Sequence, residues 1–279
     1  MRLCSYEVDG RNGYGFLEKG GIIDLQARIG SSYPTLLALV QAEAFEDAAK
    51  AAKGQTADFT EDQVRFLPLF EAGVTRHCVG LNYAAHAAEA GIQPPRFPHT
   101  FVKIAAAMVG HNEGLEMPAL SSQFDFEGEL AVIIGRAARN VRADDALAHV
   151  AGYACFMDGS VRDYQFDRSL DQGKNFFRSS AMGPCLVTVD EVGDLAGLTL
   201  STYVNEERMQ HTSFADMIFS VPALIAYFSS FTALQPGDVI ATGTPEGVGF
   251  ARKPPRFLQP GDTVTVEIER IGRLRNTVC

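Results

Sequence analysis

The stretch Phe124-Asp-Phe-Glu-Gly-Glu-Leu-Ala-Val-Ile-Ile-Gly135 decides how the chain reads. In an extended strand, side chains alternate between faces, so Glu127 and Glu129 share one face with Ala131 and Ile133. That face turns apolar directly after two carboxylates. At about 6 Å and an effective dielectric of about 20, two such charges repel by roughly 3 kcal/mol. Water, a shared proton, a basic partner or a divalent cation must offset this. A lone Glu-x-Glu at a strand mouth also suits two solvated glutamates. A third carboxylate in similar company changes the balance: Asp158 ends the apolar run Tyr153-Ala-Cys-Phe-Met157, again where a strand exits into a polar loop. Glu127, Glu129 and Asp158 together would offer an all-oxygen site for a hard cation such as Mg²⁺, Mn²⁺ or Ca²⁺. With no cysteine or histidine among them, zinc is the poorer candidate.

Further strands are expected at Leu130–Ile134, Gly152–Met157, Leu186–Val189, Leu198–Val204, Asp238–Thr242 and Thr263–Ile268, and helices near Asn82–Ala90, Ala143–Val150 and Phe214–Phe231, the last kinked or split at Pro222. Strands and helices do not alternate regularly, which disfavours Rossmann and TIM-type layouts and indicates an α+β fold. The N-terminal part reads separately. Short β-like pieces punctuated by Gly10, Gly13, Gly15, Gly20 and Gly21 suggest hairpins up to about Leu25. One amphipathic helix follows, with Pro34 near its first turn and Gly54 as its stop. A boundary near residue 70 would divide a small N-terminal domain, 1–70, from a larger one, 71–279. Leu-Gln-Pro-Gly-Asp occurs at 234–238 and again at 258–262, which is a repeated Pro-Gly turn and not a repeat architecture.

Composition narrows the partners. The 279 residues include 34 acidic and 24 basic side chains, a formal net charge of −10. That balance argues against nucleic acid, which needs a basic face, and against anionic membranes. Hydrophobic residues at 46% and charged residues at 21% are ordinary globular usage. Five scattered cysteines with no Cys-x-x-Cys suit a reducing compartment. The most apolar stretch, Met217–Phe228, is too short to span a bilayer. A cytoplasmic protein acting on a small molecule is the expectation.

Two further clusters carry chemistry. In Val79-Gly-Leu-Asn-Tyr-Ala-Ala-His-Ala-Ala-Glu-Ala-Gly91, His86 and Glu89 stand at i and i+3, where the carboxylate can orient the imidazole as a general base. An ordinary surface helix pair reads the same way. Asp158-Gly-Ser-Val-Arg-Asp-Tyr-Gln165 and Gly173-Lys-Asn-Phe-Phe-Arg-Ser-Ser180 bring acidic, basic and amide groups close in sequence. Gly243-Thr-Pro-Glu-Gly-Val-Gly249 lacks both the P-loop lysine and the dinucleotide spacing, so it reads as a substrate loop or a turn.

In this order, the pieces resemble the fumarylacetoacetate hydrolase family over roughly Val79 to Val278. Leu81-Asn-Tyr-x-x-His86-x-x-Glu89, Glu127-Gly-Glu129, Asp158, Arg162-Asp163-x-Gln165, Gly173-Lys174-x-Phe176, Asp216-Met-Ile-Phe219, Pro236-Gly-Asp-Val-Ile240 and Thr242-Gly-Thr-Pro-x-Gly-Val-Gly249 all match its pattern. The likeness is to its bacterial-type acylpyruvase and 2-hydroxyhepta-2,4-diene-1,7-dioate isomerase members. The resemblance implies a small N-terminal domain, a catalytic domain built on a mixed β-roll, a homodimer, and Mg²⁺, Mn²⁺ or Ca²⁺ on Glu127, Glu129 and Asp158. It implies chemistry on 2-oxo or 2,4-dioxo acids. The chain departs from the common pattern at Met157, at Gly159, at Phe101-Val-Lys-Ile-Ala105, which lacks a proline after the lysine, and at Phe177-Arg178.

The expected reaction is hydrolytic cleavage of an acylpyruvate-like 2,4-dioxo acid to pyruvate and a carboxylic acid. The cation would chelate the carboxylate and 2-oxo oxygen, and His86, oriented by Glu89, would activate water. Lys174, with Gln165 and the loop around Thr244, would hold the oxyanion or substrate carboxylate, and Arg178 would anchor a second acidic group. Alternatives are decarboxylation of an oxaloacetate-like acid, isomerisation or hydration of an unsaturated 2-oxo dioate, and an inactive metal-dependent binding protein.

Overall fold

The computed structural model describes residues 1–18 and 21–279, so Gly20 of the expected N-terminal hairpins lies outside it. Two sheets make the scaffold. The larger runs through β1 (Arg2–Val8), β2 (Arg11–Glu18), β3 (Gly21–Asp24), β4 (Arg76–Gly80), β5 (His99–Lys103), β6 (Gly128–Ile134), β7 (Val150–Met157), β8 (Ser180–Thr188) and β11 (Val239–Ala241). Its order is β3-β2-β1-β8-β7-β6-β11-β4-β5. The smaller packs β9 (Thr199–Val204), β10 (Glu207–Ser213), β12 (Thr263–Ile268) and β13 (Gly272–Val278) in the order β10-β9-β12-β13. Pairing is mostly antiparallel, with β11 and β4 parallel, so this is a mixed α+β fold.

Strands β6 and β7 are buried along their whole length, which is why they read as unbroken apolar runs. Their two faces serve different cores. Ala131, Ile133, Ala154 and Phe156 face the N-terminal helices, whereas Leu130, Val132, Tyr153 and Cys155 pack with the small sheet and its Leu200, Val266 and Leu274. Gly128, between the two glutamates, lies against Thr202 and Val266 of the smaller sheet. A Cβ there would sit 2.0 Å from Thr202 Oγ1, so only glycine admits the approach. Four cysteines are buried, Cys279 is exposed, and all five are free.

The helices depart from expectation in instructive ways. After α1 (Leu25–Ile29), the single helix expected before Gly54 is α2 (Leu36–Gln41) followed by α3 (Phe45–Ala52), separated where Glu43 adopts φ 53°. Thr35 caps α2 through Ala38 N, which leaves Pro34 just outside the helix. Ala143–His149 is 3₁₀ and not α. Phe214–Asp216 is also a 3₁₀ turn, and the helix proper is α7 (Val221–Phe231), capped by Ser220 with Pro222 in its first turn, where a missing N–H costs nothing. Among the described residues no helix is long and apolar enough to cross a membrane.

Strand β1 pairs with β8 (Arg2↔Val187, Leu3↔Leu186), so the N-terminal hairpin extends the main sheet. At the other end the sheet curls back: Lys103, closing β5, donates to Ser180 Oγ at the start of β8, and Met108–Val109 pairs parallel with Ser180–Ala181. This curl delivers distant cations to the mouth of β6 and β7.

A partly buried histidine lets the fold be tested by pH. His111 Nδ1 accepts Arg275 N–H at 3.1 Å while its ring packs edge-on against Phe66. Burial, with Arg275 nearby, pushes its pKa down to about 4. The unfolded chain takes up a proton near pH 6.5 and the folded one does not, so stability present above pH 6.5 drains away as pH falls toward 4. Urea unfolding at pH 7.5 and pH 5 should show the wild type losing on the order of 2 kcal/mol more than His111→Asn, whose amide oxygen accepts without titrating. Equal losses in both proteins would remove His111 from the acid limb.

Candidate metal and catalytic site

Strand register explains why three carboxylates meet. Gly128 pairs with Met157, which places Glu127 opposite Asp158, and Asp158 N donates to Glu127 O at 2.8 Å. Glu129 lies two residues along on the same face. One oxygen from each of the three falls within 4.8 Å of the others, and all three side chains are buried. Like charges directly across a ladder destabilise it, so compensation is required.

Three buried cations supply it. Lys174, at the end of α6 (Leu170–Lys174), puts Nζ 2.5 Å from Glu127 Oε2, 2.8 Å from Asp158 Oδ2 and 2.7 Å from Ser160 Oγ. Lys103 contacts Asp158 Oδ1 and Lys174 O and donates to Gly159 O at 3.3 Å. Arg162, the first residue of α5 (Arg162–Asp167), reaches Asp125 Oδ2 at 2.8 Å and Glu127 Oε1 at 2.7 Å, and stacks on Phe250. Asp125 is fully buried and also accepts from Gly249 N and Phe250 N, tying the strand mouth to the glycine-rich loop.

The charges are unevenly shared. Burial pushes Glu127 up, but the Lys174 ammonium and the Arg162 guanidinium outweigh it and hold the carboxyl well below its usual range. Glu129 is pushed well above its range by burial, and then by the Asp158 and Glu127 charges. No ammonium or guanidinium touches Glu129 among the described residues; its hydrogen bond comes from Gly243 N at 2.9 Å. An all-oxygen, buried donor set short of positive charge at one member fits a hard divalent cation on Glu127, Glu129 and Asp158.

His86 and Glu89 lie on the short helix α4 (Ala84–Glu89), with His86 Nδ1 2.8 Å from Glu89 Oε1. Gly247 N donates to both oxygens of Glu89, at 3.1 and 2.9 Å. Gly247 can do this because its φ of 99° is accessible to glycine, and a Cβ would lie 2.2 Å from Met209 O. A carboxylate can only accept, so Nδ1 carries the proton and Nε2 is left as the base. Asn82 anchors the helix entry: its amide donates to Thr242 O and Phe219 O and accepts Phe219 N.

A cavity of about 200 Å³ joins these parts. It is lined at its polar end by His86, Glu127, Arg162, Gln165, Lys174 and Thr244. Gln165 Oε1 accepts from Arg162, and Thr244 Oγ1 donates to Gly128 O while accepting from Gln210. Arg178 is not brought here. Its guanidinium donates to Glu113 Oε2 and Gly114 O, and it does not line this cavity. Sequence reading did not single out Asp125 or Lys103, although a carboxylate inside Phe-Asp-Phe and an ammonium inside Phe-Val-Lys-Ile are charges in apolar company that need partners.

Residues 75–279 match the profile described as fumarylacetoacetate (FAA) hydrolase C-terminal. The chain belongs to the fumarylacetoacetate hydrolase family. Oxaloacetate tautomerase FAHD2B, mitochondrial, from Bos taurus is 41% identical over 268 residues, covering 93% of this chain and 84% of that protein. The fumarylacetoacetate hydrolase of the psychrophile Exiguobacterium antarcticum superposes with a TM-score of 0.87 at 35% identity, over 100% of this chain and 99% of that one. Maleylpyruvate hydrolase from Sphingobium sp. SYK-6, solved with manganese(II) and pyruvate, gives 0.83 at 29% identity, over 100% and 98%. Family membership expected from the motifs therefore holds, and the family is one of enzymes. The manganese in that neighbour and the buried triad here both speak for a divalent ion.

Glu129→Gln tests the triad without an activity assay. The amide keeps an acceptor for Gly243 N and removes a charge that burial and two carboxylates oppose. The metal-free melting temperature should rise by roughly 2–4 °C, equivalent to on the order of 1 kcal/mol. The upward shift that Mn²⁺ gives the wild type should disappear. An undiminished Mn²⁺ shift in the variant would remove Glu129 from the ligand set.

Proposed function

We propose that the protein is a divalent-metal-dependent enzyme that moves a proton at the carbon beside the carbonyl of a small 2-oxo acid, interconverting keto and enol forms of an oxaloacetate-like compound. The observation that carries this is one imidazole, fixed through Nδ1 by Glu89, lining the same cavity as Glu127 of the carboxylate cluster. A cation on Glu127, Glu129 and Asp158 would supply Lewis-acid polarisation of the carbonyl. His86 Nε2 would take the proton from carbon and deliver it to the carbonyl oxygen, and carry it back in the reverse direction, a transfer that needs one base and no activated water. Gln165 and Lys174 border the space where the oxygens of a 2-oxo acid would lie. The tautomerase relative, 41% identical, supports the same reading.

Hydrolytic C–C cleavage of an acylpyruvate is the second reading. Another part of the cavity lining favours it: Ile92, Phe166 and Leu170 are apolar and suit a neutral acyl group better than a second carboxylate. The same His86 would then deprotonate water.

A panel separates the two. With Mg²⁺ or Mn²⁺ present, the enzyme should accelerate decay of oxaloacetate enol absorbance and release no pyruvate from acylpyruvates. Pyruvate release without enol turnover would overturn the first reading in favour of the second. On whichever substrate turns over, Glu89→Gln should lower kcat roughly a hundred- to thousandfold with little change in KM, because an amide N–H facing Nδ1 inverts the tautomer and removes the base.

A further inference from the structure

We infer that His99 sets substrate choice at the outer end of the cavity. Its imidazole donates to the distal carboxylate of a 2-oxo dicarboxylate and so favours such acids over alkyl-ended ones of equal length. The inference rests on the reading of the cavity as a 2-oxo acid site, with the 2-oxo end held at Glu127, Glu129 and Asp158.

Position is the first argument. Side chains of β5 alternate between faces, so Lys103, Phe101 and His99 share the face turned to the site. They run outward in that order. Lys103 is buried on Asp158, and Phe101 is buried with its ring centre 5.2 Å from Lys174 Nζ. His99 is exposed and still lines the cavity. Two residues of strand advance about 7 Å, a step on the scale of a short dicarboxylic acid.

Availability is the second. Glu127, Arg162 and Lys174 bind one another, and His86 is held by Glu89. Of the ionisable side chains lining the cavity, His99 alone has no hydrogen-bond partner among the described residues. Its cross-strand neighbour is Gly80, which also lines the cavity. A Cβ on Gly80 would have only His99 atoms within 4 Å, so the space beside the ring is open. Pro94, Pro95 and the buried Pro98 stiffen the chain that leads into His99.

The lack of a competitor is the third. The guanidinium of nearby Arg96 lies over the Phe97 ring and does not line the cavity. Ile92, Phe166 and Leu170 have no polar side-chain group to offer. A distal carboxylate therefore has His99 to meet, through a charge-assisted hydrogen bond. An alkyl end gains nothing from it.

Calorimetric titration of the Mn²⁺-loaded protein with 2-oxoglutarate, 2-oxopentanoate and oxalate tests this in wild type, His99→Leu and His99→Gln. Wild type should bind 2-oxoglutarate about tenfold more tightly than 2-oxopentanoate, its alkyl-ended counterpart of equal length. In His99→Leu the two affinities should come within about twofold, whereas His99→Gln, whose amide still donates, should keep part of the preference. Oxalate has no distal group and should bind all three proteins alike. A preference that survives in His99→Leu, or is absent from wild type, overturns the inference and leaves the 2-oxo acid site standing. Weaker oxalate binding by His99→Leu would put the residue at the near end and overturn it as well. A wild type that binds none of the three acids overturns the 2-oxo acid reading, and the inference with it.

Discussion

Four carboxylates buried where β6 and β7 leave the main sheet are the constraint around which the molecule is arranged. Unpaired, each would cost several kcal/mol in a protein interior. The fold therefore has to deliver cations to one spot from three separate places: the end of β5, the start of α5 and the end of α6. The curl of the sheet brings Lys103 across, and the turn after β7 brings Arg162 and Lys174 back. Breaking one partner leaves an uncompensated charge, so the sheet's curvature and the polarity of the site are a single property.

The same cluster fixes what surrounds it. Asp125 accepts N–H groups of Gly249 and Phe250, and Glu129 accepts that of Gly243, so both ends of the glycine-rich loop hang on carboxylates of one short segment, residues 125–129. Gly247, between those anchors, holds Glu89 and through it His86. The base is thus positioned by the loop that the acidic strand positions. Gly128 lets the small sheet close the opposite face, where Gln210 ties Gly128 N to Thr244.

Much of this was legible because the signals were local. A two-residue period put Glu127 and Glu129 on one face, an apolar run ended at Asp158, and three residues of helix joined His86 to Glu89. What escaped depends on chain returning from afar. Lys103 meets Asp158 only because the sheet curls, and Asp125 gains its meaning from residues at 162 and 249–250. The break at Glu43 hides in a helical pattern because an amphipathic period carries through a single left-handed residue. Arg178 was drawn toward the site by its closeness in sequence to Lys174, yet Glu113 claims it on another surface. Proximity along the chain is a poor guide once a helix has ended, as it has at Lys174.

The polar end of the cavity recognises what every 2-oxo acid has in common, so it cannot by itself choose among reactions of that class. Proton transfer at carbon and attack by water on a more distant carbonyl both need a polarised oxygen and one base, and both lead through an enolate. They differ in what stands beyond the carbonyl. That region is bordered by Ile92, from the segment following α4, and by Phe166 and Leu170, on α5 and α6. None of these is a sheet residue, and Ile92, Phe166 and Leu170 are exposed at the rim. Their replacement would leave the buried ion network untouched. The chemistry is anchored in the part of the fold that cannot vary without loss of charge balance, and reaction choice lies in the part that can.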